Sequence, residues 1–306
     1  MCQREEVKKM YYSPLRYPGG KGRLAPFMKL LIKKTGHTNG IYIEPFAGGA
    51  GIAIDCLLNE IVSEIVINDL DKGIYSFWRA ILEETDRFID DIMNVPLTIV
   101  EWEKQRQVYL TNNRRYSYKL GFATFYLNRT NRSGIIKGGV IGGKEQTGKW
   151  TLDVRFNRKA LVSRIRNVAL HKGRIHIYNK DISSFLSHYI PKYAGNALIY
   201  FDPPYYEKGR ELYMNFFTHS DHVRIRSEIE RLQDIDWIIT YDDCLEILDL
   251  YNEHIYRYMN WNYSAATKRT VNEIMIFQNA EMIPTEQELR KNKVKTILFD
   301  VEECEV

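Results

Sequence analysis

Apolar residues fall into short runs, separated by stretches in which they recur every three or four positions. "IYIEPF" at 41–46 and "EIVINDL" at 64–70 are runs of the first kind and read as strands. "GIAIDCLLNE" and "KGIYSFWRAILEE", one after each strand, carry the helical period. The series resumes with "RIHIYNKD", "ALIYFDP", "DWIITY", "HIYRYMNW" and "EIMIFQN". Helical patterns near 183–189, 220–232 and 243–251 separate the first four of these. Strands and helices in alternation predict an α/β fold with a mostly parallel, doubly wound sheet. No helical pattern separates the last two strands, which predicts an antiparallel pair.

The centre breaks this rhythm. Residues 102–127 read as helical and rich in Arg, Lys and Tyr, and the glycine-dense stretch "NRTNRSGIIKGGVIGGKEQTGKW" follows. Its glycines are interspersed with Ile, Val, Lys and Arg, which suits a hairpin laid on a backbone better than a free linker. The expected organisation is one α/β domain from residues 1–90 and 165–280, interrupted by a basic, mainly helical insertion at 91–164 containing a glycine-rich hairpin. A charged, peripheral tail is expected at 281–306.

Charge sharpens the contrast. The 306 residues carry a net charge of only +4, but residues 102–180 hold 18 Lys or Arg against three acids. Such asymmetry predicts a footprint for a polyanion. Hydrophobic residues make up 44% of the chain, enough for a substantial core, and no apolar run is long enough to cross a bilayer. The N-terminus lacks the apolar centre of a signal peptide, so a cytoplasmic protein is expected. Cys2, Cys56, Cys244 and Cys304 lie far apart, which fits a reducing compartment and no zinc site. The closest histidine pair, His219 and His222, has no third ligand nearby, so no metal is expected.

Three stretches carry chemistry. In "YIEPFAGGAGIAI", Gly48, Gly49 and Gly51 sit between a strand and a helix, where glycine permits a tight turn and close approach to a ligand. Asp69 ends the next strand, the position from which an acid reaches ribose hydroxyls in a nucleotide-binding βαβ unit. Glu44 just ahead of the loop disfavours an anion there. An adenosine joined to a cationic group satisfies both features, and S-adenosylmethionine is such a molecule. In "LRYPGGKGRL", Tyr17 offers a stacking face and Lys21 a cation for a cofactor carboxylate or a phosphate. In "ALIYFDPPYYEKG", the apolar run ends in Asp202, and Pro203 stops the strand because it has no N–H and keeps its predecessor out of helix. A carboxylate, free carbonyls and an aromatic ring then project from a strand's carboxyl end, where open α/β sheets bind ligands.

The ordered set "RYPGGK", "EPFAGG", "NDLD", a basic insertion and "DPPY" resembles the Dam-type DNA adenine-N6 methyltransferases, from residue 15 to about residue 277. The resemblance implies a Rossmann-like methyltransferase sheet and site-specific methylation of N6 of a flipped-out adenine in duplex DNA, by an orphan or a restriction–modification enzyme. It implies S-adenosylmethionine contacts from Tyr17, Lys21, Asp69 and Asp202, with Phe46, Gly48 and Asp181 nearby. Asp202, Pro203 and Tyr205 would act on the base. "FYLNRTNRSGI" is similar to the family's target-recognition segment, which implies DNA contacts from Asn128, Arg129, Arg132 and Lys137. Beyond Asn128 and Arg129 the segment departs from the enzymes that recognise GATC, so that site is not carried over. Double-stranded DNA is the implied partner, with a cognate restriction endonuclease where the enzyme serves such a pair. A monomer or weak dimer near the nucleoid of a bacterial or phage-infected cell completes the expectation. An N4-cytosine methyltransferase uses the same amine chemistry, although such enzymes more often carry Ser where Asp202 stands. A non-catalytic nucleic-acid binder that kept the fold is the alternative from another class.

Overall fold

A computed structural model of the chain describes residues 12–16, 21–112, 115–207, 217–260 and 273–299. In chain order these contain α1 (Ala25–Lys34), β1 (Ile41–Glu44), α2 (Gly51–Leu58), β2 (Glu64–Asn68) and α3 (Lys72–Glu83). Then come α4 (Thr85–Asn94), α5 (Ile99–Thr111), α6 (Tyr118–Thr130), α7 (Arg158–Ala169), β3 (Ile175–Tyr178), α8 (Ile182–His188) and β4 (Ala197–Phe201). α9 (His219–Ile229), β5 (Asp236–Asp242), α10 (Leu245–Leu250), β6 (Ile255–Asn260), β7 (Glu273–Phe277), α11 (Glu286–Lys291) and β8 (Ile297–Phe299) follow.

The strands form one sheet in the order β3-β2-β1-β4-β5-β7-β6-β8. β1 to β5 pair in parallel, while β7 enters antiparallel between β5 and β6, as the missing helix between the last two strands predicts. Both faces are covered. Tyr42, Ile65, Ile67, Leu198 and Tyr200 join one core with α1 to α7, and Ile43, Val66, Ile199 and Phe201 join the other with α8 to α10. This two-residue alternation with both sides apolar is the pattern of a sheet between helical layers. From β1 the chain steps outward to β2 and β3, then returns to β4 and β5 on the opposite side. The reversal between β1 and β4 opens a crevice at their carboxyl ends.

The basic region lies in the crossover from β2 to β3. Every residue of α6 except Lys119 is buried, so this helix is enclosed on nearly all sides. Phe125 stacks on Phe77 of α3 with ring centroids 5.8 Å apart, and Phe88 meets both edge-on. The helices α4 to α7 therefore share a core with α3. The glycine-rich hairpin is realised as a compact loop closed by a single antiparallel bridge, Asn131 to Val140. The next turn is stapled by Gln146, whose amide donates to the carbonyls of Ile141 (2.7 Å) and Gly143 (2.5 Å) and accepts from Leu152 N–H (2.8 Å).

The tail is less peripheral than expected. Met282, Leu289 and Val294 are buried in the main core, and β8 pairs with β6. The apolar spacing within this charged stretch is what docks it. No described helix is long and apolar enough to cross a membrane.

Candidate active site

The loop leaving β1 is shaped by its neighbours. Gly48 and Ala50 adopt left-handed backbone at φ 47° and 44°. Gly48 N–H donates to Asp69 Oδ2 (2.8 Å), and Trp78 Nε1 donates to the Gly48 carbonyl (3.0 Å). The other Asp69 oxygen accepts from Asp71 N–H (2.8 Å). Asn68 donates to the carbonyls of Pro45 (3.0 Å) and Lys180 (3.1 Å), tying the loops after β1 and β3 together beside Asp69. Asp71 is the N-cap of α3, accepting from Gly73 and Ile74, so the two acids of "NDLD" have separate jobs. Glu44 is 5% exposed, and its carboxyl accepts Ala53 N–H (3.0 Å) at the start of α2.

Burial raises the acids here. Glu44 is pushed up to about 8, chiefly by desolvation, with the charge of Asp202 adding to it. Desolvation and then the charge of Asp71 push Asp69 up to about 7. A crevice whose carboxyl groups resist ionising together suits a cationic guest.

Asp202 follows β4 across the switch point from Glu44. Its Oδ1 accepts from Thr240 Oγ1 (3.0 Å) on β5, and Thr240 in turn accepts from the Tyr200 hydroxyl (2.9 Å). Asp202 Oδ2 has no hydrogen-bond partner among the described residues. Lys21, 7% exposed in its side chain, hydrogen-bonds the Tyr205 hydroxyl and Glu273 Oε2 (2.7 Å), and its Nζ lies 3.9 Å from Asp202 Oδ1. It also sits 4.8 Å from the centre of the Tyr205 ring. Desolvation raises Asp202 to about 6; Lys21 and Thr240 oppose that rise and Glu273 adds to it. Beside this group, Asp242 accepts the N–H groups of Tyr206 and Glu207, each at 2.8 Å, and so fixes the chain leaving "DPPY".

The structure thus gathers Lys21, Asp202, Pro203 and Tyr205 at one end of the crevice, and joins Gly48 of the glycine loop to Asp69, which follows β2. Phe46 is half-buried at the start of that loop, edge-on to Phe217 at 5.9 Å. Tyr17 lies outside the described residues. Asp181 does not end β3, which stops at Tyr178; it is exposed and caps α8 through Ser183 N–H (3.1 Å). Asn128 is fully buried, accepting from Arg16 N–H (2.7 Å) and donating to the carbonyls of Arg16 (2.5 Å) and Gly134 (2.9 Å). Arg129 is 6% exposed and holds the Pro14 carbonyl. Direct DNA contact by Asn128 or Arg129 does not fit that burial: the enclosed α6 turns both toward the N-terminal segment. Arg132 and Lys137 are exposed on the glycine-rich loop. Thr240, Asp242 and Glu273 join the site without any motif to announce them. Only Asp242 has a signal in the sequence, as an acid at the carboxyl end of the strand run "DWIITYDD".

Against known families, the model of the D12 class N6 adenine-specific DNA methyltransferases matches residues 17–267. Among solved structures, the rRNA methyltransferase AviRa from Streptomyces viridochromogenes aligns at 11% identity over 87% of this chain and 88% of that one, with a TM-score of 0.39. A Legionella pneumophila protein aligns at 11% identity over 89% of this chain and 88% of that one, with a TM-score of 0.32. Curated protein sequences give no match.

Proposed function

The chain belongs to the D12 class of N6 adenine-specific DNA methyltransferases, and from that premise we propose that S-adenosylmethionine is its methyl donor and that Asp202, Pro203 and Tyr205 hold a flipped-out adenine. The observation that carries this reading is the state of Asp202. One oxygen is fixed by Thr240, and the other has no partner among the described residues, at the switch point that Glu44 and the glycine loop share.

The residues present fit such a cofactor. Gly48 allows close backbone approach, Asp69 stands where ribose hydroxyls bind, and Glu44, Asp69 and Asp202 together favour positive charge. When bound, S-adenosylmethionine supplies an electrophilic methyl group on a sulfonium sulfur. Everything else falls to the protein. An adenine amine is a weak nucleophile because its lone pair is delocalised into the ring. Asp202 accepts one of its N–H groups and the Pro203 carbonyl the other, which draws the nitrogen toward tetrahedral geometry. Thr240 and the two prolines hold these acceptors still, so little reorganisation accompanies reaction. Methylated N6 then carries one proton too many. Asp202, whose carboxyl burial raises to about 6, would receive it. The base is out of reach inside a duplex and has to be extruded. Tyr205, pinned by Lys21, offers the stacking face, worth about 1–3 kcal/mol in comparable base contacts.

The test is transfer of labelled methyl from S-adenosylmethionine to duplex DNA, followed by nucleoside chromatography. Label in N6-methyladenine is expected. Label in N4-methylcytosine, or none in any duplex tested while cofactor binds, overturns the reading.

A further inference from the structure

Four arginines converge where residues 12–16 cross the basic region. Arg129 donates to the Pro14 carbonyl and Arg164 to the Ser13 carbonyl (3.3 Å), while Asn128 brackets the backbone of Arg16. Ser13 in turn donates through Oγ to the Gly49 carbonyl (2.5 Å), so the group adjoins the glycine loop. Gly134, at φ 79°, leaves no room for a Cβ against the Arg16 carbonyl, so the glycine-rich loop is docked directly on this segment. Arg155 stands at the end of the short turn Leu152–Arg155 and repels Arg16.

This cluster is electrically incomplete. Nε of Arg129 and Nη1 of Arg16 are enclosed and have no hydrogen-bond partner among the described residues. Among those residues no carboxylate contributes to the surroundings of Arg16, Arg129 or Arg164; burial acts on all three, and neighbouring guanidinium groups add to it at Arg16 and Arg129. Elsewhere the chain pairs its arginines readily, as Arg174 with Glu60 and Arg226 with Glu253. Uncompensated buried charge is strongly unfavourable, and guanidinium cannot escape by losing its proton at ordinary pH. Its planar fork of donors matches the oxygens of a phosphate.

We propose that Arg16, Arg155 and Arg164 receive a phosphodiester group of the DNA strand, on a floor formed by buried Arg129. This rests on the DNA reading above. It adds a specific anion site on the N-terminal side of the crevice, outside the exposed loop that carries Arg132 and Lys137. Free phosphate and the carboxylate of the cofactor share the same chemistry, so the test separates them.

Duplex affinity of the full chain is measured against salt for the wild type, Arg155→Gln and Arg164→Gln, with thermal unfolding in inorganic phosphate, in duplex and in S-adenosylmethionine as parallel arms. Each variant is expected to bind duplex more weakly and to lower the log–log salt slope by about 0.9 for every phosphate it no longer neutralises. Arg155→Gln, which gives up no described hydrogen bond, keeps or gains thermal stability without ligand because repulsion falls. Protection by duplex that shrinks in both variants supports the proposal, whether or not inorganic phosphate also protects. Variants that lose cofactor affinity but keep the salt slope assign the cluster to the cofactor carboxylate and overturn it. Unchanged slopes and affinities overturn it too. Wild-type methylation of adenine in the same DNA keeps the two readings apart: if label appears while slopes stay unchanged, only the anion site fails.

Discussion

Two crowded groups of like charge lie on either side of the glycine loop, and they differ in how they can relax. At the strand edge, Glu44, Asp69 and Asp202 are raised to about 8, 7 and 6 by burial and by neighbouring acids. Across the N-terminal segment, Arg16, Arg129 and Arg164 are lowered by burial and, for the first two, by neighbouring arginines. The acids can take up protons near neutral pH; the arginines cannot. One region should therefore answer to pH and the other to salt, although each favours charge of the opposite sign.

The largest expected effect concerns pH and the acidic edge. Carboxyl groups raised in the folded state bind more protons than in the unfolded chain, so stability falls as pH rises. The loss begins near the ordinary carboxylate range, at about 4, and continues through the folded values of about 6, 7 and 8. Thermal unfolding across pH 4–9 should show this decline in the free protein. A cationic cofactor should offset it, so the gain in Tm from S-adenosylmethionine should widen with pH. A gain independent of pH would remove the acids from cofactor recognition.

Next in size is Asp69→Ala. Loss of a charged acceptor for ribose, together with the cap on Gly48 N–H, should weaken cofactor binding by about 1.5–3 kcal/mol, read by calorimetric titration. On the basic side, Arg132→Gln with Lys137→Gln should flatten the duplex salt slope by about 0.9 for each phosphate left unneutralised. Cofactor titration of that double variant at fixed pH checks that the effect stays on its own side. The smallest expected effect is that of Glu273→Gln. Glu273 raises Asp202 and holds Lys21, whose charge lowers it. Removing the acid and freeing Lys21 act in the same direction, so the acidic limb of the kcat–pH profile should move to lower pH. A limb displaced upward would mean that Lys21 leaves the site when Glu273 is neutralised.

The strands, the glycine loop and the carboxylate after β4 are legible in the sequence because each is local: a period, a turn residue, a proline. The site's support is not. Thr240 meets Asp202 and Glu273 meets Lys21 through the sheet order, which sets β5 beside β4 and β7 beside β5. No short-range pattern carries those pairings. The same reason explains the misplacement of Asn128 and Arg129. Their DNA contacts are implied by the likeness to a target-recognition segment, which does not show that the packing of α6 against α3 and the N-terminal segment turns both side chains inward. Asp181 shows another limit of the sequence, since an acid shortly beyond a strand looks the same whether it serves a ligand or, as here, caps the next helix.

In the proposed division of labour, the acidic edge performs the transfer while the basic region holds the duplex. Single-turnover methylation by Asp202→Ala, with cofactor and duplex both saturating, tests it most directly when paired with the salt slope of duplex binding. A rate lowered by roughly 10²–10³-fold, the scale of losing one preorganised hydrogen-bonding group, is expected, with the slope unchanged. A rate near that of the wild type, or a loss that merely follows weaker duplex binding, would contradict it.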